Sequence, residues 1–135
     1  MNKIRRYLRL PAWQRRQIFS AWWLLLGFWV ALRIQPFKKT QSFADVPMGT
    51  PTEATDLEAL AWCVRAAGGT HLVPIKCLER SLALQRILRK RGVPAELQIG
   101  VEKNGTALAG HAWLEIDGEP IGEPEGIDQK FAALV

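Results

Sequence analysis

Cysteine and histidine are scarce in this chain, with two residues of each among 135. Two thiols cannot build the multi-bridge framework of a small secreted protein, and no C-x-x-C pair suggests a structural zinc site. We therefore predict no metal and no cofactor, and a reduced, cytoplasmic setting is the simpler expectation. Any thiol or imidazole chemistry rests on Cys63, Cys77, His71 and His111.

Acidic residues are missing from the N-terminal part of the chain. Residues 1–40 carry nine Lys or Arg and no Asp or Glu, whereas residues 41–135 carry nine basic and thirteen acidic residues. The N-terminal segment therefore carries +9 and the rest of the chain −4, so the basic excess behind the net charge of +5 belongs to that segment alone. A nucleic-acid-binding domain would spread positive charge over its whole fold, so no nucleic-acid partner is predicted. The segment suits an acidic partner or an anionic membrane surface.

An uncharged run of 16 residues, 17–32, lies between Arg16 and Arg33. It is shorter than the roughly 20 apolar residues that a membrane-spanning helix needs. No small-x-small cleavage site follows it, which disfavours a signal peptide. We expect a helix packed on protein, and peripheral membrane contact through residues 17–32 is the alternative.

The chain divides into three predicted segments. Residues 1–40 form a basic, Trp-rich helical segment, and residues 41–55, rich in Ser, Thr, Pro and Gly, form a linker. Residues 56–135 form the core, which begins with a helix from Asp56 to Ala67. Cys63 lies inside that helix, away from any helix terminus, and is expected to be a small packing residue.

Cys77 opens an amphipathic stretch that predicts a helix of about 15 residues. Gly92 and Pro94 end the pattern. Unpaired N–H groups and the positive end of the helix dipole stabilise a thiolate at this position, and the thiolate is the nucleophilic form of cysteine. From position alone, a buried packing role is equally open. His71, in the preceding loop, is expected to make local hydrogen bonds, and lining the site is its alternative role.

Three strands are predicted after this helix. Residues 94–101 alternate polar and apolar side chains, and residues 109–116 do so again. Asp117-Gly118 predicts a tight hairpin turn, and a third strand starts at Glu119.

His111 shares one face of the middle strand with Trp113 and Glu115. A histidine that folds beside a helix-start cysteine predicts a thiol–imidazole pair. Among carboxylates that can orient the imidazole, Glu115 is about 7 Å along the strand. The hairpin returns Glu123 beside His111, so Glu123 is the first choice and Asp117 the second. The opposite, buried face is predicted to hold Ala112, Leu114 and Ile116.

The stretch 77–101, followed by His-Ala-Trp-Leu-Glu-Ile-Asp-Gly at 111–118, closely resembles the peptidase component of lasso-peptide biosynthesis. That component is the C-terminal half of the B protein and in many organisms a separate chain. The resemblance covers roughly residues 74–124. It implies an α+β fold with a transglutaminase-like, papain-like core. In that fold a helix bearing the cysteine packs on a small antiparallel sheet, and further helices precede it.

The resemblance also implies a catalytic triad of Cys77, His111 and Glu123, in which glutamate replaces the family's usual aspartate. The implied activity is that of a cysteine endopeptidase that removes the leader peptide from a ribosomally made precursor. The implied partners are the precursor leader, a separate leader-recognition protein and the ATP-dependent lasso cyclase. No nucleotide-binding motif is present, so ATP chemistry is not expected from this chain.

Two other functions stay open at this point. An acyl transferase of the transglutaminase type would use the same three residues and pass the acyl group to an amine instead of water. A non-catalytic, membrane-associated interaction protein would depend on residues 17–32 instead.

Overall fold

The computed structural model describes residues 8–50, 57–102, 110–121 and 131–133. Within these ranges the structure describes four helices of at least eight residues, followed by an antiparallel sheet of four strands. This arrangement confirms the α+β class predicted from the sequence. The helices are α1 (Ala12–Ile34), α2 (Phe37–Ala44), α3 (Leu57–Gly69) and α4 (Cys77–Lys90), and the strands are β1 (Glu96–Glu102), β2 (Gly110–Ile116), β3 (Glu119–Ile121) and β4 (Phe131–Ala133).

The long helix α1 packs one face on the rest of the protein. Its buried side chains recur at helical spacing, and this face contacts α3 and α4. The expectation of a helix packed on protein is therefore confirmed for this face, while the opposite face stays exposed. The buried residues are Ile18, Ala21, Leu25 and Phe28.

Helix α2 and the chain after it lie along α4, the helix that begins with the cysteine. Arg86 donates to the carbonyl of Phe43 at 2.7 Å, and Arg89 donates to the carbonyl of Val46 at 2.7 Å. The backbone approaches most closely at Gly49, where a Cβ would lie 2.1 Å from a backbone oxygen of α4. Only glycine fits there without a shift of the backbone.

The division of the chain at residues 40 and 55 stays a prediction. Helix α2 covers both sides of the first boundary, and residues 51–56, which include the second, lie outside the described residues. The helix predicted from Asp56 to Ala67 is observed as α3, whose described bounds are Leu57–Gly69.

The helix α4 sits between the other helices and the sheet. Leu82, Ala83 and Leu88 are completely buried along its length. Ala112 and Leu114 of β2 belong to the same hydrophobic cluster, and Ile116 packs against it. The face of β2 predicted to be buried is thus confirmed, but burial is not confined to it, since Trp113 on the opposite face is 1% exposed.

Strands β2 and β1 form the centre of the sheet, in the order β3-β2-β1-β4. Their register pairs His111 with Gly100. The β2–β3 turn is the predicted Asp-Gly hairpin, because Asp117 and Gly118 have φ values of +53° and +81°. The first strand begins at Glu96 rather than at Pro94, since proline has no N–H to donate to a sheet.

Candidate active site

Cys77 is the first residue of α4 and is partly buried. The first backbone hydrogen bond of the helix runs from Arg80 N–H to the carbonyl of Lys76. The N–H groups of residues 77–79 therefore have no partner within the helix, and they point out of its positive end. This position favours a thiolate and offers donors for a negatively charged oxygen.

The thiol of Cys77 is held against strand β2. The N–H of Ala112 donates to Sγ at 3.4 Å across a sequence separation of 35 residues. Ala112 follows His111 directly, and adding about 2.4 Å for the Cα-to-N spacing places Sγ at most ~6 Å from the His111 Cα. The structure thus places Cys77 Sγ near the backbone of His111, and the pairing of the thiol with the imidazole stays a prediction.

The imidazole of His111 stacks on Trp113, with ring centroids 5.9 Å apart and planes 18° apart. The indole Nε1 in turn donates to Glu115 Oε2 at 2.9 Å. Trp113 is 1% exposed, so it forms a fixed platform for the imidazole. Period-two alternation predicts that these residues share a face, but it does not predict the stack or the indole–carboxylate bond.

Of the three candidate carboxylates, the structure describes two. Asp117 is exposed at the tip of the hairpin, six residues from His111 and therefore ~20 Å away along an extended strand. This separation argues against Asp117 as the orienting acid, and its assignment as second choice stays a prediction. Glu115 accepts the indole N–H of Trp113. Glu123 lies outside the described residues, and its role as the orienting acid stays a prediction.

His71 lies in the loop before α4 and binds α1. Its Nε2 is 2.9 Å from the carbonyl oxygen of Trp22, and its ring stacks on the Trp22 indole. These two contacts are long-range, whereas the local hydrogen bond expected from the sequence is the one that Nδ1 accepts from Val73 N–H at 3.5 Å.

Cys63 is a packing residue, as its position in α3 predicts. It is 1% exposed and faces α1, where its Sγ lies 4.0 Å from the carbonyl oxygen of Gln14. Burial raises the pKa of the Cys63 thiol, and the charge of Arg91 opposes this in part. The fold therefore keeps this thiol protonated and away from solvent, whereas Cys77 is partly exposed.

A small cavity of about 80 Å³ opens beside the candidate nucleophile. Cys77 and Ser81 of α4 line it together with Arg65 and Arg80. Apolar side chains complete the lining: Ala61, Val64, Leu84, Leu114 and Ile121. Among the described residues, no group of three His, Cys, Asp or Glu is arranged to hold a metal ion.

A cysteine at the start of a helix, packed against a strand that carries a histidine, is the arrangement typical of papain-like thiol enzymes. The chain belongs to the transglutaminase-like superfamily, whose sequence model matches residues 22–135. That superfamily includes cysteine proteases and acyltransferases. Comparisons with curated proteins and with solved structures found no match.

Proposed function

We propose that this chain is a cysteine endopeptidase that cleaves the leader peptide from a ribosomally made lasso-peptide precursor. The observation that carries the chemistry is the 3.4 Å hydrogen bond from Ala112 N–H to Cys77 Sγ, because it joins the helix-start thiol to the histidine strand. The resemblance of residues 74–124 to lasso-peptide peptidases supplies the substrate class. Cytoplasmic location follows from the same proposal.

The first chemical step is attack of the Cys77 thiolate on the carbonyl carbon of the scissile peptide bond. His111 takes the thiol proton and returns it to the leaving amine, so the core peptide leaves with a free amino terminus. The N–H of Cys77 donates to the oxyanion of the tetrahedral intermediate. Water activated by His111 then releases the leader from the acyl-enzyme, and Glu123 orients the imidazole throughout.

The hydrogen bond from Ala112 has a role of its own in this scheme. A backbone N–H is a fixed donor, and a hydrogen bond from it to a thiolate is charge-assisted. It also fixes the direction of Sγ, since the donor belongs to the centre of a sheet rather than to a mobile side chain. The nucleophile is thus positioned before the substrate binds.

The small cavity beside Cys77 suits one short side chain of the substrate next to the scissile bond. About 80 Å³ corresponds to two or three water molecules, which matches a side chain of two to four non-hydrogen atoms. Arg65 and Arg80 line the cavity and its described lining contains no acid, so neutral or acidic side chains fit better than basic ones.

The proposal includes two protein partners. A separate recognition protein would hold the leader, and the ATP-dependent lasso cyclase would use the amine that cleavage releases. Neither role requires a cofactor on this chain.

The test is incubation of the full chain with a leader–core peptide and its recognition protein, followed by mass spectrometry. We expect free leader and free core from the wild type, no cleavage by Cys77→Ala or His111→Ala, and full cleavage by the control Cys63→Ala. A cross-linked product mass would instead identify an acyl transferase. Cleavage that survives Cys77→Ala would refute the thiol mechanism.

A further inference from the structure

The outward face of α1 is apolar where a helix on a water-exposed surface ordinarily carries charge. Phe19, Trp23, Val30 and Ile34 are 40–75% exposed and recur at helical spacing, with Gly27 between them. We call these five residues the outer face of α1. No residue from 17 to 32 is charged. A face of this kind on a folded protein marks a surface that meets another apolar phase or partner.

A groove of about 590 Å³ runs beside this face, between α1 and α2. Phe19, Trp23 and Phe43 contribute aromatic walls, and Arg86 of α4 also lines the groove. An added Cβ at Gly27 would meet nothing within 4 Å, so the groove is open at its middle.

Positive charge flanks the apolar surface at both ends. Arg15 and Arg16 line a depression next to the groove, and Phe19 lines both. Arg33 lies near the other end of α1. Residues 1–40 contain no acid to offset them. A second copy of this chain on the same face would bring two cationic segments together, so charge opposes self-association here. An anionic surface complements both the charge and the aromatic side chains.

The packing of α1 decides its orientation at such a surface. By length and composition α1 could span a bilayer, with a mean hydropathy of 1.4 over its most apolar 18 residues. Its inner face, however, is covered by α3 and α4 along the helix. A helix with protein on one side and an apolar, aromatic face on the other fits flat in the plane of the membrane interface.

We propose that the outer face of α1 is a membrane-docking surface for bilayers that contain anionic phospholipid. Phe19 and Trp23 enter the boundary between headgroups and acyl chains, while Arg15, Arg16 and Arg33 contact lipid phosphates. The surface is separate from the thiol chemistry of Cys77, so the membrane-docking proposal does not depend on the proposed protease activity.

The test uses the full chain and sedimentation with vesicles of phosphatidylcholine, with or without phosphatidylglycerol. We expect binding to the anionic vesicles at least about tenfold tighter than to the neutral ones, and weaker binding at high salt. Gly27→Glu puts an acid in the middle of the outer face without displacing any contact, and it should weaken binding at least about tenfold. Gly69→Glu adds the same charge at the end of α3, also into open space, and should bind like the wild type.

A second pair of variants removes apolar area instead of adding charge. Trp23→Ser should weaken vesicle binding about tenfold, whereas Trp62→Ser, at a comparably exposed tryptophan of α3, should not. Failure of the wild type to bind anionic vesicles would overturn the proposal and favour an acidic protein as the occupant. Equal losses in Gly27→Glu and Gly69→Glu would also overturn it, because binding would then follow net charge alone.

Discussion

The imidazole of His71 lies flat on the indole of Trp22, with ring centroids 4.2 Å apart and planes 14° apart. Its Nδ1 accepts the N–H of Val73 at 3.5 Å, while Nε2 donates to the Trp22 carbonyl. A carbonyl only accepts and an amide N–H only donates, so the ring is the neutral tautomer with its proton on Nε2. One side chain thus fastens the loop before Cys77 to α1.

Replacing His71 with alanine removes both the stack and the hydrogen bond. We expect the free energy of unfolding to fall by about 1–3 kcal/mol, measured by urea denaturation. Leu72→Ala is the matched control, because Leu72 is the next residue and is 87% exposed, and it should change stability by less than about 0.5 kcal/mol. An unchanged urea midpoint for His71→Ala would contradict the fastening role.

The two cysteines should differ in reactivity towards iodoacetamide. Cys77 is partly exposed at a helix N-terminus, whereas Cys63 is buried and burial raises the pKa of its thiol. Iodoacetamide reaches a partly exposed thiol far more readily than one that is 1% exposed, so Cys77 should react at least about tenfold faster. Peptide mass mapping measures the two rates. Both thiols should react alike in guanidinium, and equal rates in the native protein would count against the assignment.

Alkaline pH should destabilise the protein through Cys63. The pKa of its buried thiol lies above the ordinary value of 9.0, so the folded state keeps a proton that the unfolded chain loses. This contribution to stability is complete below the unfolded pKa and is lost as pH rises through the folded pKa. The stability advantage of wild type over Cys63→Ala should therefore shrink above about pH 9, by at most about 1.4 kcal/mol per pH unit. Urea unfolding at several alkaline pH values measures this, and a constant difference would refute it.

The position of Asp117 predicts that it has no catalytic role. Asparagine also tolerates the positive φ of this turn residue, so Asp117→Asn should keep the hairpin and cleave within about twofold of the wild type. Glu123→Gln should lower the rate of cleavage at least about tenfold if Glu123 orients the imidazole. The leader–core assay measures both variants. A loss confined to Asp117→Asn would reverse the assignment of the acid.

Glu115 is predicted to support Trp113 rather than to act as the triad acid. Glu115→Gln keeps an oxygen that accepts the indole N–H, so stability and cleavage should both stay close to wild type. Glu115→Ala leaves the indole N–H of a buried tryptophan without this acceptor and should cost about 1–3 kcal/mol. Thermal or urea denaturation compares the two. Cleavage lost in Glu115→Gln, with stability intact, would make Glu115 a catalytic candidate.

The sequence by itself determined the elements that depend on neighbours along the chain. The spacing of apolar residues, followed by a glycine and a proline, predicts the helix that starts at Cys77. The alternation of polar and apolar residues on either side of an Asp-Gly turn predicts β2 and β3. These signals are local because a helix and a hairpin satisfy their own backbone hydrogen bonds. From the sequence, the pairing of Cys77 with the histidine strand is a hypothesis that rests on the helix-start position of Cys77 and is supported by the resemblance.

Only the tertiary structure shows which residues that are distant along the chain lie in contact. The contact between Cys77 and Ala112 joins residues 35 apart, and that between His71 and Trp22 joins residues 49 apart, so no local pattern encodes either one. The same holds for α1, where apolar residues occur on all sides. Only the packing of α3 and α4 against one face of α1 leaves Phe19 and Trp23 exposed on the other. Burial is a property of the assembled fold, so the composition of α1 alone does not predict which of its apolar faces is buried.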